Sequence, residues 1–133
     1  MMRWLLGTRS VGFDFSVLLL RVVSGLMLLH GIPKLMGFSS MMSDFPDPVG
    51  LGSAASLALC IFAEFFCVVF IVLGAFTRLA LIPYVLNMAV AVFVVHGQDP
   101  LGKRELGLLY MIIALVLFFT GPGRYSVDAL RKA

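Results

Sequence analysis

Four apolar runs, each closed by a cluster of turn formers and charges, organise the chain; they cover about residues 15–38, 53–76, 79–96 and 105–120. Each run is hydrophobic all round rather than along one stripe, which is the pattern of helices whose outer face meets hydrocarbon. A membrane crossing needs roughly 20 apolar residues at 1.5 Å each. The pattern therefore predicts an all-α protein: an integral membrane up-down four-helix bundle, a single domain over residues 1–133. Short turns at Gly74 to Arg78 and at Gly97 to Arg104 make the helices they join antiparallel neighbours. Ser39 to Gly52, with Pro46 and Pro48, is the longest connection; it could fold over the bundle mouth, although its residues specify no particular structure. Pro33 predicts a kink near Leu29, where the backbone bond it would donate is missing.

Composition agrees with the pattern. Hydrophobic residues make up 61% of the chain and charged ones 13%, against about 25% charged in a water-soluble domain. Ten Lys/Arg against seven Asp/Glu leave a net charge of +3, too small and dispersed for nucleic acid and suited to an anionic membrane surface. Arg3, Arg9 and Trp4 in the lead-in fit the headgroup layer. The first run reads as a retained span rather than a cleaved signal, because Arg21 interrupts it and no small-residue cleavage site follows. With the N-terminus inside, the inner face collects Arg3, Arg9, Arg78, Arg124, Arg131 and Lys132, and the outer face Lys34, Lys103 and Arg104. That excess predicts both termini on the cytoplasmic side.

The few ionisable groups inside the runs need partners or a purpose, since a bare charge in hydrocarbon costs several kcal/mol, on the order of 3 or more. Arg21 and Glu64 are the first expected pair, on neighbouring antiparallel helices; the pair reads either as a register-fixing ion pair or as the polar floor of a ligand site. His30, Lys34, His96 and Glu105 fall toward the outer ends of their helices and could converge on one mouth. Such a cluster suits an anion, a quinone carbonyl or proton movement; otherwise each group simply sits at the wet end of its helix. Tyr110 joins these as a ligand or proton-site candidate, and Asn87 as a hydrogen-bonder between helices. No local spacing matches a metal site, and Lys34 would repel a cation there. Cys60 and Cys67, seven apart in one run, lie about 10 Å apart along a helix, too far to bond, and read as small packing residues. No nucleophile elbow, phosphate loop or dinucleotide fingerprint is present, so no catalytic residue is assigned.

The run LRVVSGLMLLHGIPK from Leu20 to Lys34 resembles the first-helix signature of the DoxX family of small bacterial membrane proteins. Glu64 followed by Gly74 and Arg78, the span ending at His96-Gly97, ELGLLY from Glu105 to Tyr110 and GPGRYSVD from Gly121 to Asp128 agree with it. The resemblance implies four membrane helices, a bacterial plasma membrane and association with redox systems, the family name deriving from a subunit of a thiosulfate:quinone oxidoreductase. It points to a membrane subunit or anchor of a quinone- or thiol-linked complex, contacting lipid and a protein partner or further copies of itself. No cofactor is evident in the residues, although a quinone would suit the polar cluster. The alternative is a small oligomeric transporter or channel subunit, with Arg21, Glu64 and His30 along its path.

Overall fold

The structure, a computed structural model, describes residues 5–132. Arg3 and Trp4, expected at the headgroup layer, and the side chain of Lys132 lie outside what is described. All regular structure among the described residues is helical. Helix α1 runs Phe13–Met36, α3 Ser53–Leu73 and α4 Thr77–Val95, each long and apolar enough to cross a membrane. Between α1 and α3 lies the short α2, Phe38–Met41. Then come α5, Leu101–Thr120, and the short α6, Val127–Lys132.

Local chemistry sets these boundaries. Gly74 ends α3 in the left-handed region at φ 71°, with its N–H on Ile71 O and the Ala75 N–H on Phe70 O. Helix α5 opens directly after Pro100 at φ −59°, four residues before the expected start, so Lys103, Arg104 and Glu105 belong to its first turns. Pro33 is carried inside α1. The departure from α geometry comes earlier than expected, as a tight 3-10 turn at Gly25–Met27, where Gly25 lies against Val72.

Helix α1 packs on α3 and α5, and α4 packs on the same two helices. The shared core holds Met27, Val68, Ile71, Leu81, Tyr84 and Leu117. On α4, Thr77, Ala80, Leu81, Tyr84, Met88 and Val92 are buried, the three- and four-residue spacing of one helix face. The opposite faces present Leu29, Leu79, Leu86, Phe93 and Phe119 outward, while Arg21, Ser24, Glu64 and Thr77 are buried. This distribution is the reverse of a water-soluble protein and is stable only where the surrounding medium is lipid.

One end of the helices is tied by arginine and aspartate side chains. Arg21 is 1% exposed and donates to four carbonyls: Ile71 at 3.1 Å, Val72 at 2.7 Å, Pro122 at 3.0 Å and Tyr125 at 2.8 Å. The first two belong to the last turn of α3, whose free carbonyls and negative dipole end favour a cation. Arg78 does the same for α5, donating to Phe118 O and Phe119 O. Asp128 on α6 caps the start of α4, accepting from the N–H groups of Phe76 and Thr77 and from the Thr77 hydroxyl. Asp14 accepts the Arg124 N–H. These contacts define the arginine end of the molecule.

Burial works to raise the Asp128 carboxyl, but the Thr77 and Phe76 donors and Arg131 outweigh it and hold the group below the usual carboxylate range. A depressed carboxylate contributes stability above its unfolded pKa of about 3.9, and that contribution fades as pH falls through the lower folded value. Asp128→Asn is thus expected to lower stability in detergent by about 1 kcal/mol at neutral pH, with the gap to wild type closing below about pH 4. Thermal unfolding at pH 7 and pH 3 checks this, and an unchanged gap would refute it. Gly31 generates a second expectation. A Cβ at Gly31 would come within 2.7 Å of the Glu64 carbonyl carbon and closer still to its oxygen, whereas one at Gly102 meets nothing. Gly31→Ala must force α1 from α3 and should cost about 1–3 kcal/mol, with Gly102→Ala near neutral; equal melting of the two variants counts against this crossing.

Candidate functional site: a polar node beneath the mouth

At the end opposite the arginine end, three helices meet on one carboxylate. Glu64 on α3 is buried. Its Oε2 accepts from Lys34 Nζ of α1 at 2.5 Å and its Oε1 from Asn87 Nδ2 of α4 at 3.3 Å. Lys34 Nζ also lies 3.5 Å from Cys60 Sγ, one turn back along α3. Side-chain exposures of 22% for Lys34 and 7% for Glu64 put this ion pair largely out of water, where breaking it would leave a charge uncompensated.

The backbone around the node is irregular on two sides. Helix α3 widens into π geometry at Phe62–Phe66, with Glu64 at the centre of that stretch. Helix α4 does likewise at Ala91–Val95. Both segments border the same cavity, of about 580 Å³. Single π turns inside α-helices recur at functional sites because they re-aim side chains at the expense of regular bonding. The widened turn in α4 brings the Val92 carbonyl to Arg104 Nη1 at 3.4 Å.

The walls of the cavity are mostly apolar, with Phe45, Leu59, Phe62, Leu86 and Val90, and Lys34, Glu64, Asn87, Ser56 and His96 are its polar groups. Phe45, Pro46, Pro48 and Val49 bring the long connection over the mouth. Asp47 fastens that connection to the start of α3, accepting from the N–H groups of Leu51 and Gly52 and from the Ser56 hydroxyl. The Gly52 N–H leads in holding the Asp47 carboxyl below its usual range, against the cost of desolvation and with help from Ser56 and Leu51.

The expected partnership of Arg21 with Glu64 is replaced. Gly31 of α1 meets Glu64, and Arg21 reaches Ile71 and Val72, so the two side chains stand ten helical residues apart in register, about 15 Å. Lys34 is the cation of the Glu64 pair, and carbonyls satisfy Arg21 in place of a carboxylate. The outer cluster is gathered only in part. Lys34 and His96 border one cavity, with His96 Nδ1 2.8 Å from Asp99 Oδ2. His30 and Glu105 are exposed and border neither that cavity nor the larger hollow at the arginine end. Tyr110 is buried in the apolar core with Tyr84. Arg21, Glu64 and His30 therefore do not line up as one path through the chain; Met27, Val68 and Leu81 fill the core between its ends.

Asn87 and Cys60 are the members of the node that sequence reasoning left outside the candidate site. Asn87 does bridge helices, as its polarity in mid-span suggested, but the helix it reaches carries Glu64. Cys60 stands one turn before Glu64, a spacing that puts both on one face. Among the described residues no group of three or more His, Cys, Asp or Glu side chains is placed to hold a metal ion.

Apolar helices with an inward-facing polar node define the class: a helical membrane protein with an intramembrane polar site. Residues 16–97 match the DoxX family model, and the chain belongs to the DoxX family. An uncharacterized protein of Haemophilus influenzae is 31% identical to it over 121 residues, covering 86% of this chain and 88% of that protein. No solved structure matches the chain.

The node changes the expected response to carboxylate removal. Glu64→Ala strands Lys34 rather than Arg21 and should cost about 3 kcal/mol or more, whereas Glu105→Ala, at an exposed position, should fall within about 0.5 kcal/mol of wild type. Unfolding of both variants in the same detergent is the measurement; equal losses would contradict the node's structural role.

Proposed function

We propose that this chain is the membrane subunit of a quinone-linked redox complex and holds a quinone headgroup in the cavity between α1, α3 and α4. The observation that carries this reading is Lys34 Nζ on Glu64 within a largely apolar, aromatic-walled cavity of about 580 Å³. That volume lies in the range of small-molecule sites, which pair apolar walls with a few fixed polar groups. A quinone ring is flat and apolar with carbonyl acceptors at its edge. Lys34 and Asn87 supply donors at the floor, and Phe45 and Phe62 supply aromatic walls. When bound, the quinone supplies the redox chemistry; the chain positions it, and the electrons come from a redox-active partner protein.

The same reading has α5 as a fourth crossing. Its 20 residues lie beside α4 along their length, with Lys103, Arg104 and Glu105 confined to the first turns near the mouth. It also places the arginine end, with Arg78, Arg124 and Arg131, on the cytoplasmic side of a bacterial plasma membrane, as the excess of cations over the mouth favours. The transporter reading needs a polar path assembled from several copies, and no observation favours it.

The test is binding of a short-chain benzoquinone to the purified full chain in lipid nanodiscs. Lys34→Met should weaken binding by about tenfold to a hundredfold, the worth of a hydrogen bond to a charged group, and His30→Ala should leave it unchanged. Absence of binding to the wild type, or equal affinities for wild type and Lys34→Met, would sink the proposal.

A further inference from the structure

The arginine end holds a second hollow that the quinone reading does not use. It has a volume of about 870 Å³ and lies between the start of α4, the end of α5 and α6. Three arginines border it, Arg78, Arg124 and Arg131, against a single carboxylate, Asp128. Both oxygens of that carboxylate are engaged by Phe76, Thr77 and Arg131, and the three guanidinium groups outnumber it, which leaves the hollow with an excess of positive charge.

The three guanidinium groups are only partly committed. Arg78 uses Nε and Nη2 on carbonyls of α5, and its Nη1 makes no hydrogen bond among the described residues. Arg124 is 71% exposed, with one bond to the Tyr125 hydroxyl and a 3.9 Å approach to Asp14. Arg131 stacks over Phe76 at 4.2 Å and touches Asp128 at 3.3 Å. Planar guanidinium forks with spare N–H groups match the oxygens of a phosphate.

The surroundings select the source of that phosphate. The hollow sits where apolar helices end, and the adjoining outer surfaces of α4 and α5 expose Leu79 and Phe119, which suit acyl chains. Cation-lined recesses between the ends of membrane helices take anionic lipid headgroups. We infer that this hollow is a binding site for an anionic phospholipid, its phosphodiester held between Arg78, Arg124 and Arg131 and its chains lying along α4 and α5. The inference is independent of the quinone site and of which leaflet the arginine end faces.

Native mass spectrometry of the full chain, released from detergent containing phosphatidylglycerol or phosphatidylcholine, reads the occupancy directly. The expected result is tighter binding of phosphatidylglycerol at low ionic strength. The double variant Arg124→Gln/Arg131→Gln should lower that affinity by about twenty-five-fold, near fivefold per cation removed. Lys103→Gln at the mouth should change it little. Arg124 and Arg131 are exposed, so the double variant is expected to keep its fold, and its lipid-free melting verifies this. Equal binding of the two lipids overturns the inference, as does a double variant that binds like wild type. Complete displacement of phosphatidylglycerol by 10 mM inorganic phosphate (on the order of a generic weak anion affinity) overturns it too, because the site would then read the anion without its lipid.

Discussion

A guanidinium held among carbonyls is the constraint on which the rest of the structure depends. Arg21 is fully ionised under any physiological condition, and it is buried two turns inside an apolar helix. No carboxylate compensates it by a direct bond among the described residues. Instead it gathers carbonyl oxygens from the last turn of α3 and from Pro122 and Tyr125. One side chain thereby satisfies a helix terminus, fixes α1 against α3 and fastens the segment after α5 beneath both. Lysine could not substitute, because a single ammonium lacks the fork that reaches four acceptors. Gly74 belongs to the same arrangement: a Cβ there would lie 2.8 Å from Arg21 Nη2.

With that end fixed, the opposite end can hold polar groups for another purpose. Glu64 receives a donor from α1 on one oxygen and from α4 on the other. The close crossing at Gly31 brings α1 near enough for Lys34 to reach the carboxylate. The π turns of α3 and α4 open the wall on the remaining side. The two ends thus divide the labour of the few charges the chain can tolerate. Arginines with carbonyls and Asp128 secure the helix termini, and one lysine–glutamate pair sits in the cavity.

Much of this was legible in the sequence, and the parts that were not have identifiable causes. Uniform hydrophobicity around each run marked the helices, because lipid exposure leaves no polar face to read. Gly74 and Pro100 carry their boundaries in their residue types, although α5 began earlier than its apolar content suggested because charged residues can occupy a first turn. Arg21 and Glu64 were both recognisable as charges needing partners. The register between α1 and α3 was not, since it is set by the close approach at Gly31, which brings Lys34 to Glu64 and leaves Arg21 ten helical residues away, about 15 Å. His30 and Glu105 looked equivalent to Lys34 and His96 by position along the chain, but both are exposed and border neither cavity, and of the four only Lys34 reaches the carboxylate. The π turns had no sequence signature at all, as no residue type demands them.

The exposed flanks of Leu59, Phe62 and Leu86 have a consequence for any occupant of the cavity they border. With the long connection fastened over the top by Asp47, the natural approach is sideways, through hydrocarbon. The concentration that governs filling is then the amount dissolved in the bilayer, not the amount in water. Lengthening an aliphatic tail raises that amount by about 0.8 kcal/mol of partitioning per methylene, so apparent potency in aqueous units would climb with tail length even where the tail touches no residue of this protein.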